Sequence, residues 1–463
     1  MRFARTFAVA AAMLVGAAPA GAGPHEAVDA IVQTAMKAKQ APGVAIAVVS
    51  KGTVVAAKGF GLANVEHNAK VRQNTVFQSA SVGKQFTAAA VMLMVEDGKL
   101  GLDDSIAAHF DDAPKSWAPI TVRHLLTHTS GIPDYTDDDF DYRRAHGEDD
   151  LVKMAYGLKL LFAPGARWSY SNTGYVLLGI LVHKVSGEFY GDVLKARVFA
   201  PLGMKTARVI SEADIVPHRA AGYRTVGGAL KNQEWVAPEL NTTADGALYL
   251  TVLDLIAWDR AVRTKALLKA ESWAQIFAPV KLNSGKTYPY GFGWFVDEFA
   301  GAPKHSHTGS WQGFRSAIAR YPRNDLTVIV LANHAGLNAG KLADVIAGQF
   351  DPILIEPAPK PITDREPTVT EKLRDLIGHA AEGTLTAKSF TWISDGDLPT
   401  ERYAKLLKPL GALKRLDLLK RREMGDDRVY LYDAVYADKT LRVRFAVAPD
   451  SRISTFAITE KDD

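Results

Sequence analysis

Apolar positions change their period several times along the chain, and each change marks an element. From Ala27 to Lys39, Val28, Ile31, Val32 and Ala35 share one face of a 3.6-residue repeat, which predicts a helix. The stretch GVAIAVVSKGTVVAAKGFG then reads as two strands around the Lys51–Gly52 turn. A second such unit, FRSAIARYPRNDLTVIVLANH, has strands on either side of Asn324–Asp325 and predicts a helix after it, from about Asn338 to Phe350. Phe86 to Val95 is apolar nearly all round, the mark of a buried helix, with Gly98 as a plausible end. Strands at both ends of one segment with helices between them predict an α/β (α+β) fold, an antiparallel sheet flanked by helices. Ser81 to about Pro289 would form a mostly helical insertion.

Composition divides the chain further. DPILIEPAPKPITDREP carries Pro352, Pro357, Pro359, Pro361 and Pro367, a density that disfavours regular structure and predicts a linker over 351–367. Ahead of it, residues 25–350 form the main domain. Beyond it, 368–463 reads as a small α+β accessory domain. Helices are expected over Thr370–Ala380 and Thr400–Leu407, and in TLRVRFAV, Leu441, Val443, Phe445 and Val447 alternate with Arg442 and Arg444. At the other end, MRFARTFAVAAAMLVGAAPAGAGP has Arg2 and Arg5, an apolar run from Phe7 to Ala18, then small residues. This pattern predicts a secretory signal peptide over 1–22, with an uncleaved anchor as the alternative. The run is too short to span a bilayer comfortably, and no other stretch is long and apolar enough to do so.

The 463 residues are 47% hydrophobic and 23% charged, as in soluble globular proteins. A net charge of +4 without a dense basic block gives no reason to expect nucleic acid as a partner. With no cysteine, disulfides, lipidated-cysteine anchors and cysteine zinc sites are excluded. The expected location is the periplasm or the medium, as an exported soluble protein.

Three short motifs carry candidate chemistry. QSASVGKQFT places Ser81 and Lys84 three apart, just ahead of the buried apolar run. Ser81 could simply cap a helix, with Lys84 in solvent. In the alternative, both share a face at the helix mouth, where backbone N–H groups favour an anion. A lysine packed among apolar groups loses solvation, its pKa falls, and its neutral amine can take the serine proton. WSYSNTGYVLLG supplies Tyr170 and Asn172, two apart and on the same side of an extended segment. Tyr170 could relay a proton and Asn172 could hold a substrate amide or the lysine; a core tyrosine and a turn asparagine are the plainer reading. HSHTGSWQGFRS supplies His307, Thr308 and Gly309 at a strand entry, where the backbone could line a cleft and the Ser310 N–H could donate to an oxyanion. The rival match at His334 reads as a strand-to-helix turn.

S-x-x-K, then Y-x-N, then H-x-G resembles the serine β-lactamase and penicillin-binding-protein superfamily, in its class C β-lactamase-like branch with D-aminopeptidase, DD-peptidase and esterase relatives. LLTHTSGIPDY, FAPGARWSYSNTGYVLLG, PLGM and YGFGWF add to the likeness, which covers about residues 27 to 350. The resemblance implies a β-lactamase-like fold and an acyl-enzyme on Ser81, with Lys84 as general base, Tyr170 passing the proton to the leaving group and Asn172 orienting the substrate. It further implies an oxyanion hole from the Ser81 and Ser310 N–H groups, and no metal or organic cofactor. The substrate would be an amide or peptide bond of a D-amino-acid or cell-wall-like molecule, peptidoglycan fragments included, or a β-lactam. A small ester is the alternative, and a non-catalytic peptidoglycan-binding protein the non-enzyme one. Two positions depart from the pattern. His307 stands where many β-lactamases have lysine, and a histidine holds a substrate carboxylate only when protonated. Gly83 replaces a more usual hydroxyl residue. The pairs His124/His128 and His305/His307 could aim two imidazoles at a metal, although the first pair reads better as a loop wall near the cleft. Trp311 is a candidate substrate contact, and DDDFDY (137–142) an acidic solvated loop.

Overall fold

The computed structural model describes residues 24–135, 140–391 and 398–461. The signal-peptide segment and Asp137–Asp139 of the acidic loop lie outside them. The chain opens with helix α1 (Pro24–Lys39), followed by β1 (Gly43–Ser50) and β2 (Thr53–Asn64) around the expected turn. The buried helix is α2 (Lys84–Glu96), and α3 (Asn172–Ser186) and α4 (Val252–Thr264) follow in the insertion. Four strands then complete the main sheet: β3 (Phe295–Phe299), β4 (Ala302–Trp311), β5 (Phe314–Tyr321) and β6 (Leu326–Ala332), with α5 (Ala339–Phe350) closing the domain. The sheet order is β3-β4-β5-β6-β1-β2, with the short strand Ala69–Lys70 at the far edge. β1 pairs antiparallel with both β2 and β6, so the first and last strands of the main domain meet at the centre of its sheet.

A central strand is covered on both faces and is apolar throughout. In β1, Val44, Ile46 and Val48 pack beneath α1 and α5, while Ala45 and Ala47 face the larger core containing α2, α3 and α4. The insertion is mostly helical, as expected, but it also carries a small sheet. There Leu248–Leu250 pairs with Phe77–Gln78 and with Arg208–Val209, which fastens the middle of the insertion to the strand that leads into Ser81.

The C-terminal unit holds α6 (Pro367–Glu382), α7 (Thr400–Leu407) and a four-stranded antiparallel sheet of β7 (Arg415–Met424), β8 (Asp427–Val435), β9 (Thr440–Val447) and β10 (Ile453–Glu460). Leu441, Val443, Phe445 and Val447 are buried in its own apolar core. The proline-dense segment contains one short helical turn at Pro352–Leu354, and the Ile362 N–H donates to Leu418 O of β7 at 2.8 Å. The linker's second half therefore lies along the sheet it leads to. Among the described residues, no helix is long and apolar enough to cross a membrane.

Candidate active site

Ser81 lies in a single 3-10 turn, Ala80–Gly83, immediately before α2. Its side chain caps nothing: neither helix start has a side-chain cap bond. Ala80 is left-handed (φ 46°), a conformation that costs an L-residue roughly 1–2 kcal/mol and sharpens the entry to the turn. The departure at Gly83 has a packing reason. A Cβ there would come within 2.9 Å of the Gly246 Cα, so the turn's backbone can press against residues 245–246 only without a side chain.

Lys84 is fully buried. Its Nζ donates to Asn172 Oδ1 at 2.6 Å and to Asp245 O at 2.5 Å, and lies 3.4 Å from Ser81 Oγ. A neutral amine has two hydrogens and one lone pair. With both hydrogens taken by these acceptors, the lone pair is left for the Ser81 hydroxyl. Burial, opposed by the negative charges of Asp245 and Asp134, lowers the lysine to about 8. The Nζ also sits 4.8 Å from the centre of the Tyr170 ring and 5.3 Å from that of Tyr175.

Tyr170 lies at the end of the extended segment before α3, 4.8 Å by ring centre from Lys84 Nζ. Burial pushes its phenol well above the ordinary value, which the neighbouring Ser81 only partly offsets, so it carries its proton at neutral pH. Ser171 caps α3 by accepting the Gly174 N–H at 3.2 Å, which places Asn172 at the helix start. The Asn172 amide is committed on both sides, with Oδ1 on Lys84 and Nδ2 donating to Asp134 at 3.0 Å. Of its two expected roles, the structure shows the one on the lysine.

The third motif lies on β4. Pairing with β3 ends at Ser306, so residues 307–311 run past the end of that strand and lie against the Ser81 turn. A Cβ on Gly309 would meet Ser316 Oγ at 2.3 Å and Ser79 O at 2.5 Å, so only glycine permits this approach. Ser310 lines the same cleft as Ser81, Tyr135, Asn172, Asp245 and Trp311. The Trp311 indole N–H is held by Asn241 Oδ1 at 2.8 Å. Thr308 points outward on the same strand.

His307 is buried, and its bonds define its state. Its Nδ1 lies 2.7 Å from Thr308 O, which can only accept, so Nδ1 carries the proton. His128 Nδ1 accepts the Ser171 N–H at 3.1 Å, so the proton of that ring is on Nε2, 3.2 Å from the Tyr290 hydroxyl. The Tyr290 hydroxyl in turn donates to His307 Nε2 at 3.1 Å. Both imidazoles are thus neutral. Burial, followed by the nearby Lys84, lowers His307 to about 3 and His128 well below its ordinary value. A cationic His307 facing a substrate carboxylate is not what this site holds.

Sequence reasoning missed Asp245, Asp134, Tyr135 and Tyr290. Asp134, Tyr135 and Tyr290 lie within the quoted stretches LLTHTSGIPDY and YGFGWF; Asp245 has no periodicity to betray it. His124 takes part in a helix cap with Thr121, whereas His305 stacks on Phe277 at 4.4 Å. Among the described residues, no group of three or more His, Asp or Glu could hold a metal. A larger cavity of about 310 Å³, between Phe277, His305 and Arg320, shares no residue with the Ser81 cleft and holds no serine or lysine pair.

Residues 28–348 match the family profile described as Beta-lactamase. Penicillin-binding protein 4* of Bacillus subtilis (strain 168) is 33% identical over 310 residues, covering 61% of this chain and 68% of its own. A D-aminopeptidase of Gluconobacter oxydans (strain 621H) is 27% identical, over 66% of this chain and 58% of its own length. Among solved structures, the penicillin-binding protein of Bacillus halodurans superposes with a TM-score of 0.60 at 27% identity, covering 68% of this chain and 98% of its own. The octameric penicillin-binding protein homologue from Pyrococcus abyssi reaches 0.64 at 22% identity over 94% of this chain and 99% of its own, a likeness of fold.

Proposed function

Because this chain belongs to the beta-lactamase family and is a serine hydrolase of that fold, we propose that it is an exported enzyme that hydrolyses amide or peptide bonds next to a D-amino acid through an acyl-enzyme on Ser81. The buried Lys84 Nζ, 3.4 Å from Ser81 Oγ, lowered to about 8 and held by Asn172 Oδ1 and Asp245 O so that its neutral form has a lone pair left for the hydroxyl, carries the reading. In the first step Lys84 Nζ takes the hydroxyl proton as Oγ bonds to the carbonyl carbon. The Ser81 and Ser310 N–H groups receive the developing oxyanion. The C–N bond then breaks, Tyr170 gives its proton to the departing amine, and the proton on Lys84 restores the phenol. Water, deprotonated by the same pair, releases the acid.

Cleft charge supports the substrate class. Among the described lining residues there is one carboxylate, Asp245, and no Lys, Arg or His. Asp245 is held by Tyr135 at 3.1 Å and Thr243 at 2.6 Å, a fixed partner for a substrate ammonium. With His307 neutral, a substrate bearing a free amine is favoured over one bearing a free carboxylate. Peptidoglycan fragments with exposed amines fall within this class. The N-terminal segment supports export.

The test is turnover of a D-alanyl p-nitroanilide, a p-nitrophenyl ester and a cephalosporin, with intact-mass detection of the adduct from a fluorophosphonate. Ser81→Ala should lose the adduct and at least about 10⁴-fold in kcat. Turnover unchanged in that variant, or an adduct on another serine, removes the assignment. Faster ester than anilide turnover by the wild type, relative to the uncatalysed rates, selects the esterase alternative.

A further inference from the structure

Residues 162–171 deliver Tyr170 to Ser81 without belonging to any helix or strand. Something other than a hydrogen-bond ladder must hold them. Part of the support is local: Asn283 bonds Gly165 O and Pro164 O, both at 2.9 Å, and the Ser169 N–H bonds His128 O at 3.0 Å. Further bonds within the domain hold its two ends, with the Gly165 N–H on Thr129 O at 2.8 Å and the Ser171 N–H on His128 Nδ1 at 3.1 Å, and the C-terminal unit adds support in the middle. The tip of the β7–β8 hairpin reaches the catalytic domain at two linked points. Asp427 pairs with Arg167, three residues before Tyr170, and both side chains are largely buried. The Gly425 N–H donates to Thr287 O at 2.9 Å. The next residue, Tyr288, stacks on Trp168 at 4.1 Å and 9°. Trp168 in turn lies 6.4 Å from the Tyr170 ring and 5.9 Å from His128. Arg422–Asp297 at 2.7 Å and Lys286–Glu423 at 3.4 Å flank the contact.

We infer that this hairpin tip positions the proton donor: Asp427, through Arg167, and Gly425, through the Thr287–Tyr288 strand and Trp168, fix the loop that aims Tyr170 at Ser81. The inference rests on the role proposed for Tyr170 and goes beyond the expectation of an accessory domain. Arg167, Trp168 and Ser169 have one anchor each, the Asp427 carboxylate, the Tyr288 ring and His128 O, and the hairpin tip supplies the first directly and supports the second through Thr287. A misplacement of about 1 Å at a reacting group costs on the order of 100-fold in rate, so a loop tied this way has a measurable effect on chemistry. The pair is largely removed from water, where a guanidinium–carboxylate bond holds geometry better than on an open surface. Arg167 and Asp427 touch no reacting atom; they act through Tyr170.

The test uses the full chain and the variants Asp427→Ala, Arg167→Ala and Tyr170→Phe, alone and combined. Read as the rate of Ser81 labelling by a fluorophosphonate, and as kcat on a D-alanyl p-nitroanilide, Asp427→Ala should lose about tenfold, with KM and the melting temperature little changed. In the Tyr170→Phe background the same substitution should change the rate less than about twofold, because the group it positions is gone. A 3-fluorotyrosine at position 170 should show a shifted or split ¹⁹F resonance in Asp427→Ala. Wild-type labelling and resonance in that variant overturn the inference, as does a tenfold loss that persists without the Tyr170 hydroxyl. Labelling that survives Ser81→Ala overturns instead the functional reading, and the ¹⁹F resonance then still decides the positioning.

Discussion

At Lys84 two opposed effects meet. Full burial disfavours the ammonium, while Asp245 and Asp134 favour it, and burial wins. The base works only when neutral. With its value near 8, kcat/KM should rise with pH through about 8, level off above it, and fall about tenfold per pH unit on the acid side. His307, lowered to about 3, stays neutral throughout, so no histidine step should appear between about pH 5 and 7. A pH–rate profile checks both, and an acid limb near 6.5 that vanishes in His307→Gln would contradict the bonding assigned to that ring. Lys84→Met keeps the apolar stem and removes the base; it should lose on the order of 10²–10⁴ in kcat while the protein stays folded. Ser81 with Lys84, and Tyr170 with Asn172, stood out as candidates because a spacing of three or of two residues can set each pair on one side of the chain. Asp245 was not, since it reaches the site from a loop 161 residues beyond Lys84.

Elements carry the geometry that these side chains need. The approach of β4 to the Ser81 turn depends on the missing side chain of Gly309. Gly309→Ala should cost about 1–3 kcal/mol of stability by overpacking, and on the order of 100-fold in kcat by displacing the Ser310 N–H. Denaturant titration and steady-state kinetics on one preparation separate the two losses. α4 is fastened to the sheet differently. Asp259, almost fully buried, accepts from Arg320 of β5 at 2.7 Å and from Thr327 of β6 at 2.7 Å. Asp259→Ala strands the guanidinium and should cost about 3–5 kcal/mol in urea unfolding. β1, β5 and β6 could be read from sequence as apolar runs bounded by turn residues, and α5 from the helical period of its buried face. The short strands Phe77–Gln78 and Leu248–Leu250 could not, since two or three residues show no period.

Over the whole molecule, the C-terminal unit has its own core, with Leu373, Tyr432 and Phe445 among its buried residues, and meets the catalytic domain chiefly through polar and charged groups. Contacts of that kind permit separate folding while transmitting position. Removal of residues 362–463 should therefore leave a soluble, cooperatively melting protein that still labels at Ser81, at a rate lowered about as far as in Asp427→Ala. Loss of soluble protein would place the boundary elsewhere.

Sequence alone determined the two hairpins that frame the main domain, the helices before and after them, the buried character of α2, and the three motifs. Each is local: an apolar run, a period or a spacing of two or three residues fixes it. Tertiary structure decided the rest. It neutralised His307 by burying it between Tyr290 and its own strand, brought Asp245 to the lysine, and set the β7–β8 tip against Arg167. Those are contacts between residues far apart in the chain, and desolvation and charge act through distance in space, which no short stretch of sequence contains.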